Sequence, residues 1–439
     1  MGRKTAIALF AIILVAASAL YGGGRAEPAA AKPPRTILRV AWWGSQARHE
    51  RTVAALSLFA KSVPGLTVEY EYAGWNDYWT RLTTQAAAGI LPDVIQQDYQ
   101  YLTEWVQRGL LAPLDKLAAR GILDLEDIAD GVVAGGRVGN SLYGVSMGVN
   151  STCMMLDVDA FSRAGLALPG DDWTWADFER IALALSRKLG IPAVSGNIVH
   201  DHIWRSMYLG KGLWVYAEDG KSLGYPDSED ALFAGQMKLA RRLLAAGAMM
   251  PYGEIVDARS KSVEDDWIVK GRSAIAFLWS NQVVAVWSAA GVDARRFALR
   301  PLPRIAPGAG SSNYMKQSGF FSITRAARRP EAAARLLDFL TNSVDANRIL
   351  LAERGVPVAG RVREAVKPLL PVPQQAVFDY LGRLEKDAAA VPPPDPVGNT
   401  DLINNVFIPQ VVDPVLYGVL SPEEAMRTLR REAARILAK

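Results

Sequence analysis

The chain has 439 residues, 50% of them hydrophobic and 21% charged, with a formal net charge of +4. That composition excludes a disordered or fibrous polymer, and the length is too great for one ordinary core, which predicts two lobes behind a processed leader. The charge falls to +2 without a leader carrying Arg3 and Lys4, too little to argue for nucleic acid.

Arg3 and Lys4 precede an apolar run from Ala6 to Ala17, and Ala17-Ser18-Ala19 offers small residues for cleavage. Residues 1–19 therefore read as a secretory signal peptide, and the mature protein is expected to be exported, periplasmic or at the cell surface. Gly23 stands where a lipid-attachment site needs a cysteine, so no lipobox is found. The single cysteine, Cys153, excludes an internal disulfide and is expected to be buried as a small hydrophobe. Residues 20–35, rich in Ala and Pro, read as a flexible spacer.

Strands and helices then alternate. Thr36 to Trp43 is a β-branched and apolar strand ending in two indoles, and a helix follows with Val53, Leu56 and Phe59 on one face. Pro64-Gly65 breaks that helix, and Leu66, Val68, Tyr70 and Tyr72 alternate through a second strand. A helix with the stripe Trp79, Leu82 and Ala86 leads to Gly89, and Pro92-Asp93-Val94-Ile95 forms a short buried strand that ends at Asp98. Such βα repetition predicts an α/β lobe with a mostly parallel sheet, whose ligand edge is the carboxyl end of its strands.

Gly135, Gly136, Gly139 and Gly144 loosen the chain before an extended segment from Tyr143 to Leu156, the expected crossing to a second lobe. Thr174 with Asp177 and Ser262 with Asp265 read as capping boxes, and Ser228 and Gly247 bracket a long helix. A return crossing is expected near Trp279. Beyond Val344 the chain reads as mostly helical, with a capped last helix at Ser421-Pro422-Glu423-Glu424.

Twelve tryptophans exceed what core filling needs, and several stand beside polar residues or turns. A sugar presents flat C–H faces rimmed by hydroxyls, so its site combines aromatic platforms with carboxylates, amides and guanidinium groups. Trp43, Trp204 and Trp279 are the favoured platforms; adjacent strand residues point to opposite sides, so one of Trp42 and Trp43 turns to the sheet packing, and alternation does not say which. Arg48 opens a helix, where a basic group is out of place unless it has a partner. Asp98 fits either a sugar acceptor or a helix cap.

Other chemistries find less support. His200-Asp201-His202 brings two of the three histidines together, but a zinc site needs more ligands, so no metal and no cofactor are expected. Gly220-Lys221-Ser222-Leu223-Gly224 matches a nucleophile elbow, yet Asp219-Gly220 signals a hairpin and Pro226 interrupts the helix such an elbow requires. No acid pair suited to glycoside hydrolysis stands out.

The runs Trp42-Trp43-Gly44-Ser45-Gln46-Ala47-Arg48-His49, Thr83 to Gly89, Pro92 to Tyr99, Tyr143 to Asn150, Trp173 to Phe178 and Arg354-Gly355-Val356-Pro357 resemble the extracellular solute-binding proteins of family 1. Those proteins capture sugars for bacterial ABC importers. The resemblance implies a two-lobed α/β periplasmic-binding-protein-like fold of type II, with residues 36–144 and 280–343 in the N-terminal lobe, 145–279 and 344–439 in the C-terminal lobe, and a hinge between. It places ligand contacts at Trp43, Arg48, Asp98 and Trp279, with Tyr314 and Lys316 on a further cleft loop. It implies a non-enzymatic monomer that takes an oligosaccharide, an acidic one such as a uronide included, to membrane permease subunits. The competing readings are a secreted glycan-active enzyme and a two-lobed binder of a non-sugar solute such as a polyamine or ferric ion.

Overall fold

A computed structural model of the chain describes residues 36–44, 46–393 and 395–438. The expected signal peptide and spacer at 1–35 lie outside the described residues. The remainder, Thr36–Lys439, forms one compact unit built on two sheets.

The first sheet starts as predicted. Strand β1 (Thr36–Trp43) is followed by the helix Gln46–Ser62, β2 (Leu66–Ala73), the helix Trp75–Ala87 and β3 (Val94–Gln97), and β1 pairs in parallel with both β2 and β3. Being central, β1 has helices over both faces, so its carboxyl half, Val40 to Trp43, is buried whichever way a side chain points. Leu38, Val40 and Trp42 enter a core with Leu56, Phe59 and the helix Pro330–Asn342, while Ala41 and Trp43 enter another with Tyr78, Leu82 and Trp105.

A small hairpin of β4 (Arg137–Val138) and β5 (Ser141–Leu142) turns at Gly139, whose φ of +59° suits glycine. After it come β6 (Val145–Ser146), β7 (Val149–Asn150) and β8 (Thr152–Asp157). The second sheet has the order β11-β8-β10-β9, with β9 at Val194–Ser195, β10 at Ile275–Trp279 and β11 at Phe297–Arg300. Every residue of β8 is buried, Cys153 among them. Farther along, β12 (Lys316–Gln317) pairs with β7, and β13 (Phe320–Ile323) enters the first sheet between β3 and β6.

Two expectations are corrected here. The sheets are mixed: β13 runs antiparallel to β3 and β6, and in the second sheet β8 is antiparallel to both β10 and β11, with only β9 and β10 parallel. The strand pairing also moves the crossings. The helix Ser280–Ala290 and β11, read as N-terminal lobe, pack with Met155, Leu278 and Leu381 around the second sheet, so the return comes at 316–319 and not near Trp279. The helix Val344–Leu350, read as C-terminal lobe, packs on the helix Gln46–Ser62, and the chain crosses again near Val356, which bridges to Val149. Apolar periodicity says that an element is buried but not against which sheet, and these short crossings carry no periodicity of their own.

The capping boxes at Thr174 with Asp177 and at Ser421 with Glu424 are both formed. Ser262 instead precedes the short 3-10 turn Val263–Asp265 without capping it. The segment Ile403–Val412 winds as a wide π-helix around Pro409, which has no N–H to give to an α-helical ladder.

Candidate functional site

A cavity of about 580 Å³ opens where the carboxyl ends of β1 and β3 face the end of β10 and the β7–β12 ribbon. Arg48 and Asp98 reach it from the first sheet, Trp279 and Gln282 from the second, and Asn150, Lys316 and Glu353 from the crossings. A second cavity of about 640 Å³ lies at the ends of β9 and β10, lined by Gly196 and Asn197 after the first and Phe277 to Trp279 of the second, and Trp279 and Gln282 line both cavities.

Trp279 is the last residue of β10 and precedes the helix Ser280–Ala290. Its backbone N–H donates to Gln282 Oε1 at 2.9 Å, which fixes the strand-to-helix turn. The Lys316 ammonium stands 5.1 Å from the centre of the Trp279 ring, and the His202 ring meets it edge-on at 5.0 Å. The indole is half-buried, held on two sides and open to both cavities. Stacking against an apolar sugar face needs such a held, accessible ring.

Asp98 combines both roles offered by the sequence. Its carboxylate accepts from the Gln100 N–H at 3.0 Å as the cap of the helix Tyr99–Gln107, and the residue also lines the cleft. Burial raises its pKa, offset by the Gln100 N–H and by Lys316 across the cleft. Arg48 Nη2 donates to the Glu353 carbonyl at 2.8 Å, tying the first helix to the last crossing, and burial lowers its pKa against the pull of Glu353. Lys316 is exposed above the Trp279 ring.

The structure removes three of the expected contacts. Trp43 is 9% exposed and packs edge-on to Trp75 at 4.9 Å and against Tyr78 and Trp79, so it is a core residue and not a sugar platform. Alternation does send Trp42 and Trp43 to opposite sides, but a central strand has a core on each side. Trp42 is fully buried, and its Nε1 donates to His49 Nδ1 at 3.1 Å, which gives that histidine a structural role. Trp204 is also fully buried, stacked on Phe407 at 5.0 Å with its Nε1 toward the Tyr225 hydroxyl. It lies on the inward face of the helix Asp201–Leu209, so polar neighbours in sequence misplaced it. Tyr314 lines neither cavity; its carbonyl accepts from Ser151 Oγ, and burial pushes its hydroxyl up to about 12.

Other groups at the site had weak or no sequence signal. Asn150 lies in a stretch read only as a crossing, Gln282 could have been found as the residue that caps Trp279, and Gln374 projects from a distant helix with its Oε1 buried and unpartnered among the described residues. His200, Asp201 and His202 wall the second cavity. Their ligating atoms lie within 4.8 Å of one another, the set among the described residues that could hold a metal ion. Asp201 already ion-pairs with His200 at 2.7 Å and with Arg205 at 3.6 Å, and the two imidazoles stack on each other. Burial holds the His202 imidazole down at about 4 against the pull of Asp201. The Gly220 segment is a tight turn with a bridge between Tyr216 and Leu223 and an exposed Ser222, without the helix of a nucleophile elbow.

The model of the bacterial extracellular solute-binding protein family matches residues 54–362, well over half of the chain. The chain belongs to that family. Among solved structures it is similar to an extracellular solute-binding protein family 1 member from Alicyclobacillus acidocaldarius, with a TM-score of 0.83 and 26% identity over 92% of this chain and 99% of that one. It shares its fold with a periplasmic oligogalacturonide binding protein from Yersinia enterocolitica, with a TM-score of 0.76 at 22% identity, again over 92% and 99% of the two chains. The GacH receptor of Streptomyces glaucescens matches over the same shares with a TM-score of 0.65 at 18% identity. The solute-binding protein thus has the two-lobed periplasmic-binding fold.

Sequence relatives are more distant. A lipoprotein of Streptomyces antibioticus is 28% identical over 28% of this chain and 27% of its own length, and a binding protein of Brucella abortus is 25% identical over 44% and 46%. The chain therefore spans less than half the length of these curated relatives. No helix among the described residues is long and apolar enough to cross a membrane.

Proposed function

We propose that this solute-binding protein captures an oligosaccharide outside the cytoplasm and hands it, unchanged, to the permease subunits of an ABC importer, acting as a monomer. The observation that carries this reading is Trp279, a held aromatic face shared by two adjoining cavities, with Lys316 over its ring and Gln282 and Asp98 lining the same cleft. Two adjoining compartments suit a ligand of several sugar units better than a single ring. Two fold neighbours, an oligogalacturonide binding protein and a receptor that binds acarbose, take ligands of that size.

Capture requires that the ligand touch both lobes, because only a difference in affinity between open and closed forms shifts their balance. Arg48 and Asp98 stand on one side and Trp279 and Gln282 on the other, so one ligand can bridge them. Lys316, near the Trp279 face, favours an acidic sugar whose carboxylate it can pair with. Calorimetric titration against neutral and uronic oligosaccharides tests both parts. Binding of any oligosaccharide supports the first, and a preference for uronic oligomers that fades in Lys316→Gln supports the second. A broad saccharide screen without binding would return the protein to the class of non-sugar solute binders, and release of shortened products from a polysaccharide would favour a glycan-active enzyme.

A further inference from the structure

Arg354 carries its charge into the interior with few partners. The residue is 8% exposed, its Nη1 donates to Thr52 Oγ1 at 2.9 Å, and its guanidinium stands 5.4 Å from the centre of the Phe321 ring. Its Nε and Nη2 are buried and have no hydrogen-bond partner among the described residues. The neighbouring acid, Glu353, is turned to Arg51 at 3.7 Å, and Arg48 adds a further positive charge nearby. Burial and Arg48 pull the Arg354 pKa down to about 9 against the opposing pull of Glu353, which still leaves it charged at neutral pH.

Arg354, Arg48 and Arg51 thus share the single carboxylate of Glu353, and a buried cation so poorly compensated is costly, while buried N–H groups are seldom left unpaired. Arg354 lines a cavity of about 20 Å³ together with Met147, Phe321, Leu340, Thr341, Asn347 and the one acid of the lining, Glu353, which is drawn toward Arg51. That space is large enough for one small particle and far too small for a sugar. A water would satisfy hydrogen bonds but not the charge. Mostly apolar walls beside a guanidinium suit a weakly hydrated anion.

We propose that Arg354 Nε and Nη2 bind a single small monovalent anion of the halide class in this cavity, at the root of the ligand cleft. The site sits under the last crossing between the sheets. The Arg354 carbonyl accepts from Ser318 Oγ, and a Cβ placed on Gly148 would lie 2.5 Å from that same carbonyl. Just before it, Leu351 and Ala352 hold φ values of 46° and 58°, a left-handed turn that costs ordinary residues stability. An anion that neutralises Arg354 offsets that strain and links halide concentration to the stability of the hinge.

The test is thermal unfolding of the mature protein at constant ionic strength, with chloride or bromide replacing gluconate, which is too large for the cavity. The expected result is a Tm that rises with halide concentration by about 1–2 °C per tenfold once the site saturates, with the slope lost in Arg354→Met. Crystals grown in bromide should show an anomalous peak within hydrogen-bond distance of Nε or Nη2, a readout that stands even if the variant fails to fold. Equal Tm in gluconate and halide, or water density without a bromide peak at that position, would overturn the proposal. Arg354 also lines the ligand cleft, so both readouts are taken without any saccharide present.

Discussion

Trp279 and Trp43 are both indoles at the end of a strand, yet one stands in the cleft and the other in a core, and their variants should fail differently. Trp279→Ala is expected to weaken oligosaccharide binding by at least about tenfold with little change in Tm, since the ring is only half-buried and stacking supplies the contact. Trp43→Ala removes a side chain packed against Trp75, Tyr78 and Trp79 and should cost about 3–5 kcal/mol in denaturant unfolding. Calorimetry and urea melts on the two variants separate the roles, and the reverse pattern would restore Trp43 as the platform.

Also at this scale, His202 couples the cleft wall to pH. Its folded pKa of about 4 lies below the ordinary 6.5, mainly through burial, with His200, Arg205 and Lys316 acting in the same direction and Asp201 against. The unfolded chain therefore binds a proton that the folded chain refuses between those values, so stability is lost as pH falls from about 6.5 toward 4. His49, lowered by burial and by Arg354 and Arg48, acts with the same sign. His202→Gln should flatten part of the stability profile in that window and leave the remainder to His49. An unchanged slope would show that His202 does not titrate as its burial requires.

Among the elements, the crossings hold the site together. The β7–β12 ribbon places Asn150 beside Lys316, and Gly148 just before it has no room for a side chain against the Arg354 carbonyl. Gly148→Ala should therefore destabilise the fold by about 1–3 kcal/mol and weaken ligand binding together, because the same contact spaces the ribbon from the last crossing. A variant with normal stability and normal affinity would mean that the crossing gives way freely. At the far end of the chain, Ser421→Ala removes the hydroxyl of the Ser421–Glu424 capping box, whose side chains bond reciprocally to the backbone at the start of the helix Pro422–Leu437. It should cost about 1 kcal/mol and leave binding unaltered, since that end lies away from the cleft lining.

At the scale of the whole molecule, the proposed capture is a hinge motion. Addition of a binding oligosaccharide should reduce the radius of gyration in small-angle scattering and raise Tm in proportion to the logarithm of ligand concentration. Trp279→Ala should lose both responses at once. A rise in Tm without compaction would mean that the ligand binds one lobe and does not close the pair.

Local patterning determined much of this protein. The βα alternation of residues 36–107, the capping boxes at Thr174 and Ser421, the turn at Gly220, the buried Cys153 and the edge positions of Asp98 and Trp279 all follow from propensity, turn chemistry and short-range periodicity, which the sequence carries directly. Tertiary structure alone decided the rest. Whether an indole at a strand end meets a ligand or a core depends on how many neighbours cover that strand, and β1 is covered on both faces while the end of β10 is not. The sheet each short strand joins, and the meeting of Gln374, Glu353 and Asn150 in one cleft, depend on pairings between residues far apart in the chain. Those pairings are chosen by packing against partners that no local window contains.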